Sequence, residues 1–171
     1  MTPPHSLSEL YPRVQQFYAD QVHALDSRQF DVYAGTFTED GEFRHTPGRP
    51  PARTRRGIAD ELSAFHRERF GDEPVQRRHW FGMLRLDQRP DGEIHSTFYA
   101  LVVTTRPGVR VPEIAPSCVV HDVLVENAGR LLLRSRWVEH DWQPEGAAAP
   151  AGGASAHTTD EREVEVGAPL R

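Results

Sequence analysis

The chain is predicted to fold as one α+β domain in which helices cover one face of a curved antiparallel sheet. Three observations predict it. Apolar residues recur at helical spacing from Leu10 to Leu25, long strand-like runs crowd the chain beyond Pro74, and hairpin material separates those runs. Helices first and hairpin-linked strands afterwards bury their apolar faces by stacking one layer on the other, which makes the inside of the sheet's curve a natural pocket.

Leu10, Val14, Phe17, Tyr18, Val22 and Leu25 mark the opening helix, spaced by three and four so that one face is buried. Pro12 fits only the first turn of that helix, because a proline further in has no N–H for the carbonyl four residues back. After Asp26-Ser27-Arg28 a shorter helical pattern carries Phe30, Tyr33 and Phe37. It ends before Glu39-Asp40-Gly41, whose Asp-Gly pair signals a turn. A short strand is expected from Glu42 to Thr46. Pro47 to Arg56, with three prolines and four arginines, reads as an exposed loop, and Gly57 leads a third helix with Ile58, Leu62 and Phe65 on one face. Four strands follow, at about Val75 to Asp87, Glu93 to Thr105, Ser117 to Glu126 and Arg130 to Asp141. Arg89-Pro90-Asp91-Gly92, Arg106-Pro107-Gly108 and Asn127-Ala128-Gly129 separate them as hairpin turns.

A length of 171 residues suits a single domain with a real core. Composition shifts after Trp142: residues 143–171 hold no aromatic side chain and little apolar periodicity. A disordered Ala/Gly/Pro tail is expected there, because it cannot offset its ordering entropy by burial. Residues 1–7 are read as a flexible N-terminus, which leaves residues 8–142 as the folded body. The net charge of −5 and a pI near 6.0 provide no broad basic field for phosphate backbones, so no nucleic-acid partner is expected. One cysteine, Cys118, rules out an internal disulfide and reads as a small core residue. Met-Thr-Pro-Pro-His-Ser lacks the basic and apolar parts of an export signal, and no apolar run approaches a membrane span. A protein of the reducing cytoplasm, without a membrane partner, is expected.

The candidate chemistry rests on Asp26, where the opening helix runs out, and His79, inside the first long strand. Alternation puts Arg77, His79, Phe81 and Met83 on one face of that strand and Arg78, Trp80, Gly82 and Leu84 on the other. An imidazole oriented by an acid in a pocket is the usual equipment of a general base. The same pair can equally be a buried histidine whose hydrogen bond ties helix to sheet. His45, on a strand face with Phe43, is a second candidate, while Tyr18 and Tyr33 read as core aromatics. His121 and Asp122 point to opposite faces, so only one enters the pocket, and His140-Asp141 closes the last strand in solvent. In that strand Leu131, Leu133, Ser135 and Trp137 stand opposite Leu132, Arg134, Arg136 and Val138; the second face suits a dimer interface with arginine–carboxylate pairs. Nine histidines are present, but none are at zinc-site spacing, so no metal is expected. No nucleophile elbow, phosphate loop or dinucleotide fingerprint occurs, and no cofactor is expected.

The stretches Phe17-Tyr18-Ala19-Asp20, Leu25-Asp26-Ser27-Arg28-Gln29-Phe30, Thr36-Phe37-Thr38-Glu39-Asp40-Gly41-Glu42-Phe43 and Arg77-Arg78-His79-Trp80 carry a resemblance. With the order of elements around them, they resemble the nuclear transport factor 2-like superfamily, and within it the SnoaL-like proteins of bacterial polyketide pathways. Kinship extends to scytalone dehydratase and to the β subunits of ring-hydroxylating dioxygenases. The resemblance implies a cone-shaped sheet, antiparallel or mixed, with three N-terminal helices on its concave face. It also implies that Asp26 orients His79, as in scytalone dehydratase. In that register His45 stands where scytalone dehydratase has a pocket tyrosine, and Thr104 where it has a second histidine.

Two functions follow. The first is a cofactor-independent cyclase or dehydratase acting on an aromatic polyketide intermediate, with His79 and Asp26 catalytic and His45, Thr104, Tyr18 and Phe81 against the substrate. The second is a noncatalytic binding or assembly subunit. The cavity discriminates them: Phe81, Met83, Phe98 and Trp137 filling the cone favour assembly, and a ligand-sized void lined by His79 and His45 favours the enzyme. In either case a homodimer through the outer sheet face is expected.

Overall fold

Ser6 starts helix α1 (Leu7–Asp26): its backbone N–H is taken by the Glu9 carboxylate at 3.0 Å, so the first turn is anchored by a residue three places on. The structure is a computed structural model that describes residues 6–142. The tail expected over residues 143–171, and all but the last two residues of the expected N-terminal segment, lie outside the described residues. Pro12 falls at the sixth helical position, beyond the first turn expected for it, and forfeits the bond to the Ser8 carbonyl there.

Helices α2 (Phe30–Ala34) and α3 (Thr54–Phe70) follow, with strands β1 (Phe37–Arg44) and β2 (Ala52–Arg53) between them. The long strands are β3 (Gln76–Gln88), β4 (Ile94–Thr105), β6 (Cys118–Asn127) and β7 (Arg130–His140), each within one or two residues of expectation at either end. A two-residue strand, β5 (Glu113–Ile114), folds back on β4. The sheet order is β2-β1-β7-β6-β4-β3, antiparallel throughout except for the parallel pair β1 and β7. This is the expected α+β architecture, a curved mixed sheet with three helices on its concave side. The β6–β7 turn uses Ala128 and Gly129, both at positive φ, which the tight hairpin requires.

Three local expectations change. Phe37 belongs to β1 and not to the second helix, and Asp40-Gly41 is no turn: the strand runs through it with a break in register against β7 between Phe37 and Glu42. A Cβ on Gly41 would lie 2.8 Å from the Phe37 Cβ, so the glycine serves close packing and not chain reversal. The expected loop 47–56 contains β2 and the start of α3, where Thr54 Oγ1 accepts the Gly57 N–H at 3.2 Å.

Two bulges reassign strand faces. In β3 the register shifts between Gly82 and Arg85 and Met83 adopts φ 56°, so Met83 is 78% exposed on the outer face and Leu84 turns inward. In β7 the pairing skips Arg134, so Leu133 and Arg136 share the inner face while Trp137 stacks on His121 outside. The alternation expected for both strands therefore fails beyond the bulge. Leu10, Tyr33, Phe37, Ile58, Phe98 and Leu133 are fully buried between helices and sheet. Each such side chain contributes about 1.5–3 kcal/mol relative to exposure. Among the described residues, no helix is long and apolar enough to cross a membrane.

Candidate active site

Helix α1 ends in a double cap, with Gln29 N–H bonded to the Ala24 carbonyl at 2.9 Å and Arg28 N–H to that of Leu25 at 3.0 Å. The cap puts Arg28 at φ 60°, a position that glycine usually fills. Arg28 is held there by its guanidinium, which donates to the Val75 carbonyl at 2.9 Å, just before β3. The end of α1 is thus tied to the start of the edge strand, and Asp26 is aimed at it.

Asp26 binds His79 twice. Its Oδ1 lies 2.6 Å from His79 Nδ1, and its Oδ2 accepts the His79 backbone N–H at 3.2 Å. β3 is a sheet edge whose outward N–H groups have no strand partner, so the carboxylate caps the strand and orients the ring together. Nδ1 therefore carries the proton and Nε2 presents a lone pair, with no hydrogen-bond partner among the described residues. Burial pushes the His79 pKa below its ordinary value; the hydrogen bond it donates to Asp26 opposes this, and the nearby charges of Arg77 and Arg136 reinforce it. At neutral pH the ring is uncharged and can accept a proton.

His79 and Asp26 line a cavity of about 20 Å³ with Arg77, His66, Phe30 and Phe65. That is space for about one water molecule. The void is not ligand-sized, and His45 does not line it. The rest of the cone is filled by an ion pair: Arg136, 3% exposed, donates to Asp122 from Nε at 2.9 Å and Nη2 at 2.6 Å, and to the Tyr33 hydroxyl at 3.0 Å. Tyr18 donates to Asp122 at 2.8 Å and accepts from Ser96 at 2.5 Å. Its pKa is well raised, by burial first and by the Asp122 charge second, so it stays a phenol. Phe81 and Phe98, 4.6 Å apart, pack against the Tyr18 ring.

Of the expected site residues, only Asp26 and His79 meet at the void. Tyr18 and Phe81 belong to the filling of the cone. Thr104 is buried opposite Arg77 in the β3–β4 register. His45 stacks on Phe43 at 4.7 Å and meets the Phe65 ring edge-on, one layer behind the cavity wall. Burial holds the His45 pKa below its ordinary value, against the opposing Glu61 carboxylate. His140 is half-buried and not free in solvent, and its Nε2 donates to the His45 carbonyl at 2.8 Å. Met83 and Trp137 do not fill the cone, since both lie outside it. Sequence reasoning missed Arg136 as an interior residue; the unbroken run Leu131-Leu132-Leu133 before it was the signal that alternation fails. It also passed over His66 and Arg28, for which no motif exists. Among the described residues, no three His, Cys, Asp or Glu side chains converge as a metal site.

The chain matches the model of the SnoaL-like domain over residues 8–137. It belongs to the SnoaL-like family. Among solved SnoaL-like structures, ActVI-ORFA from Streptomyces coelicolor is 54% identical, with a TM-score of 0.73 over 78% of this chain and 98% of that one. A protein from Catenulispora acidiphila, solved in complex with S-DNPA, is 56% identical, with a TM-score of 0.71 over 78% of this chain and 95% of that one. Aln2 from a Streptomyces species is 36% identical, with a TM-score of 0.71 over 81% of this chain and 93% of that one. No curated protein matches the chain.

Proposed function

We propose that this SnoaL-like protein is a cofactor-independent cyclase or dehydratase of an aromatic polyketide intermediate, with His79 as general base and Asp26 as its positioning partner. The observation that carries the reading is the 2.6 Å contact that puts the proton on Nδ1 and leaves Nε2 bare at a cavity. A poly-β-keto intermediate has an acidic C–H beside a carbonyl. Nε2 takes that proton and the C–H electron pair becomes an enolate. For cyclisation, the enolate carbon attacks a second carbonyl, and the new alkoxide takes the proton back. For dehydration, the enolate expels a β-hydroxyl, which leaves as water with the proton from the imidazolium. The relative solved with S-DNPA supports a small-molecule ligand. The void of about 20 Å³ is smaller than such a substrate, so binding needs its wall to open. In His79→Ala, turnover of the authentic intermediate is expected to vanish while the melting temperature changes little, and a fully active variant would end the reading.

The narrowness of the void favours a second reading, a noncatalytic binding or assembly protein. A crystal soak with S-DNPA separates the two: density beside His79 supports the enzyme, and its absence with an unchanged void supports assembly. In both readings the chain pairs as a homodimer through the outer sheet face, where Trp80, Met83, Tyr99 and Leu101 are exposed.

A further inference from the structure

Three side chains on the wall of the cavity each hold a polar atom with no hydrogen-bond partner among the described residues. His79 Nε2 presents a lone pair, because Asp26 holds the ring proton on Nδ1. Arg77 stands two residues earlier on the same face of β3, half-buried and with the Asp26 charge acting on it, and its Nε–H is enclosed but unbonded. His66 comes from helix α3, half-buried as well, with its Nε2 enclosed and unbonded. Burial first, and then the charges of Arg28 and Arg77, keep the His66 pKa below its ordinary value, so at neutral pH the ring is uncharged and carries one N–H. A void of about 20 Å³ is narrow enough for a single ligand atom to meet all three side chains.

With the His66 proton on Nε2, the wall offers two donors and one acceptor. A hydroxyl is the complement of that set, with one O–H to give and two lone pairs to receive. A carbonyl or ether oxygen has no proton to give and would set a lone pair against that of His79. We infer that the cavity binds a single enolic or phenolic hydroxyl of the substrate, which donates to His79 Nε2 and accepts from His66 Nε2–H and Arg77 Nε–H. This deepens the reading of His79 as the base and rests on the cavity being the substrate site. The proton taken is then the O–H proton of an enol: the O–H bond breaks, the proton passes to Nε2, and the electron pair stays on oxygen as the same enolate that loss of the C–H proton would give. His66 and Arg77 are the donors that meet the charge as it develops on that oxygen.

Titration calorimetry with 2-naphthol and its methyl ether, 2-methoxynaphthalene, tests this on the intact chain. The wild type is expected to bind the naphthol roughly tenfold tighter than the ether, the worth of one charge-assisted hydrogen bond. His66→Leu and Arg77→Met each remove one N–H and should each cut that preference by about threefold or more. Ether affinity should stay unchanged in both, which shows that the site is still folded; where one variant loses the ether too, the other carries the test. Equal binding of the two compounds by the wild type, binding of neither because the void holds water alone, a preference undiminished in His66→Leu or in Arg77→Met, or loss of the ether in both variants would each overturn the inference. The two readings fail separately. A preference lost in His66→Leu beside a fully active His79→Ala keeps the hydroxyl site and removes the base, whereas equal binding of the two compounds beside an inactive His79→Ala keeps the base and removes the site.

Discussion

His79 is held neutral by its surroundings, and its proposed activity as a base follows from that. Because burial and the charges of Arg77 and Arg136 outweigh the Asp26 hydrogen bond, its folded pKa lies below the ordinary 6.5. The free base is fully present above that value and is lost as pH falls through the depressed one, so the acid limb of the rate profile should lie below pH 6.5. Asp26→Asn keeps the shape but removes the negative charge and leaves one acceptor oxygen where the backbone N–H and Nδ1–H of His79 now have two, so the proton is no longer fixed on Nδ1. Turnover should fall by about 10²- to 10⁴-fold, the usual worth of a positioned acid–base group. The ¹⁵N shifts of the His79 ring should show the proton moving between nitrogens. An Asp26→Asn variant with wild-type rate and an unchanged tautomer would make the carboxylate a strand cap only.

At the scale of elements, the strands and helices express different rules. Gly41 lies where β1 bulges over Phe37, and Gly41→Ala forces a methyl against a side chain with no room to yield. Overpacking of this kind costs about 1–3 kcal/mol. At about 2–4 °C per kcal/mol for a chain of this size, a drop of several degrees in melting temperature is expected. The positions of all four long strands and of the opening helix were legible, because Leu10 to Leu25 keeps helical spacing and each hairpin carries its own turn residues. The meeting of Asp26 with His79 was legible as well, through resemblance more than through spacing. What could not be read was the consequence of single inserted residues. Strict alternation puts Met83 and Arg136 each on the wrong face; the run Leu131-Leu132-Leu133 marks the break before Arg136, whereas nothing in the β3 sequence marks the one at Met83. Asp122 and Arg136 then test what the interior pair contributes. Asp122→Leu or Arg136→Met alone should cost about 3–5 kcal/mol by leaving a buried charge uncompensated, and the double variant should cost less than either. A chemical-denaturation cycle in which the two losses simply add would show that the pair is not coupled.

For the whole molecule, one face of the sheet carries the helices and the other carries apolar side chains that nothing in the described chain covers. Trp80 is 65% exposed, Met83 78% and Tyr99 59%, and register puts Trp80 opposite Leu101 and Gly82 opposite Tyr99, so these side chains form one patch across β3 and β4. The β3 bulge enlarges it, because without that extra residue Met83 would point inward. Contiguous apolar surface of this kind on a water-facing sheet marks an association site. A second copy fits the geometry, since a patch meeting itself across a twofold axis needs no other partner. Light scattering coupled to size-exclusion chromatography should report about twice the chain mass at micromolar concentration. Trp80→Glu combined with Tyr99→Glu should halve that mass, by placing like charges at the centre of a self-complementary face. Both substitutions lie on the outer face, on the opposite side of β3 and β4 from His79 and Phe98, so the fold should persist. A wild-type chain that elutes as a monomer under these conditions would refute the dimer and leave the patch to some other partner.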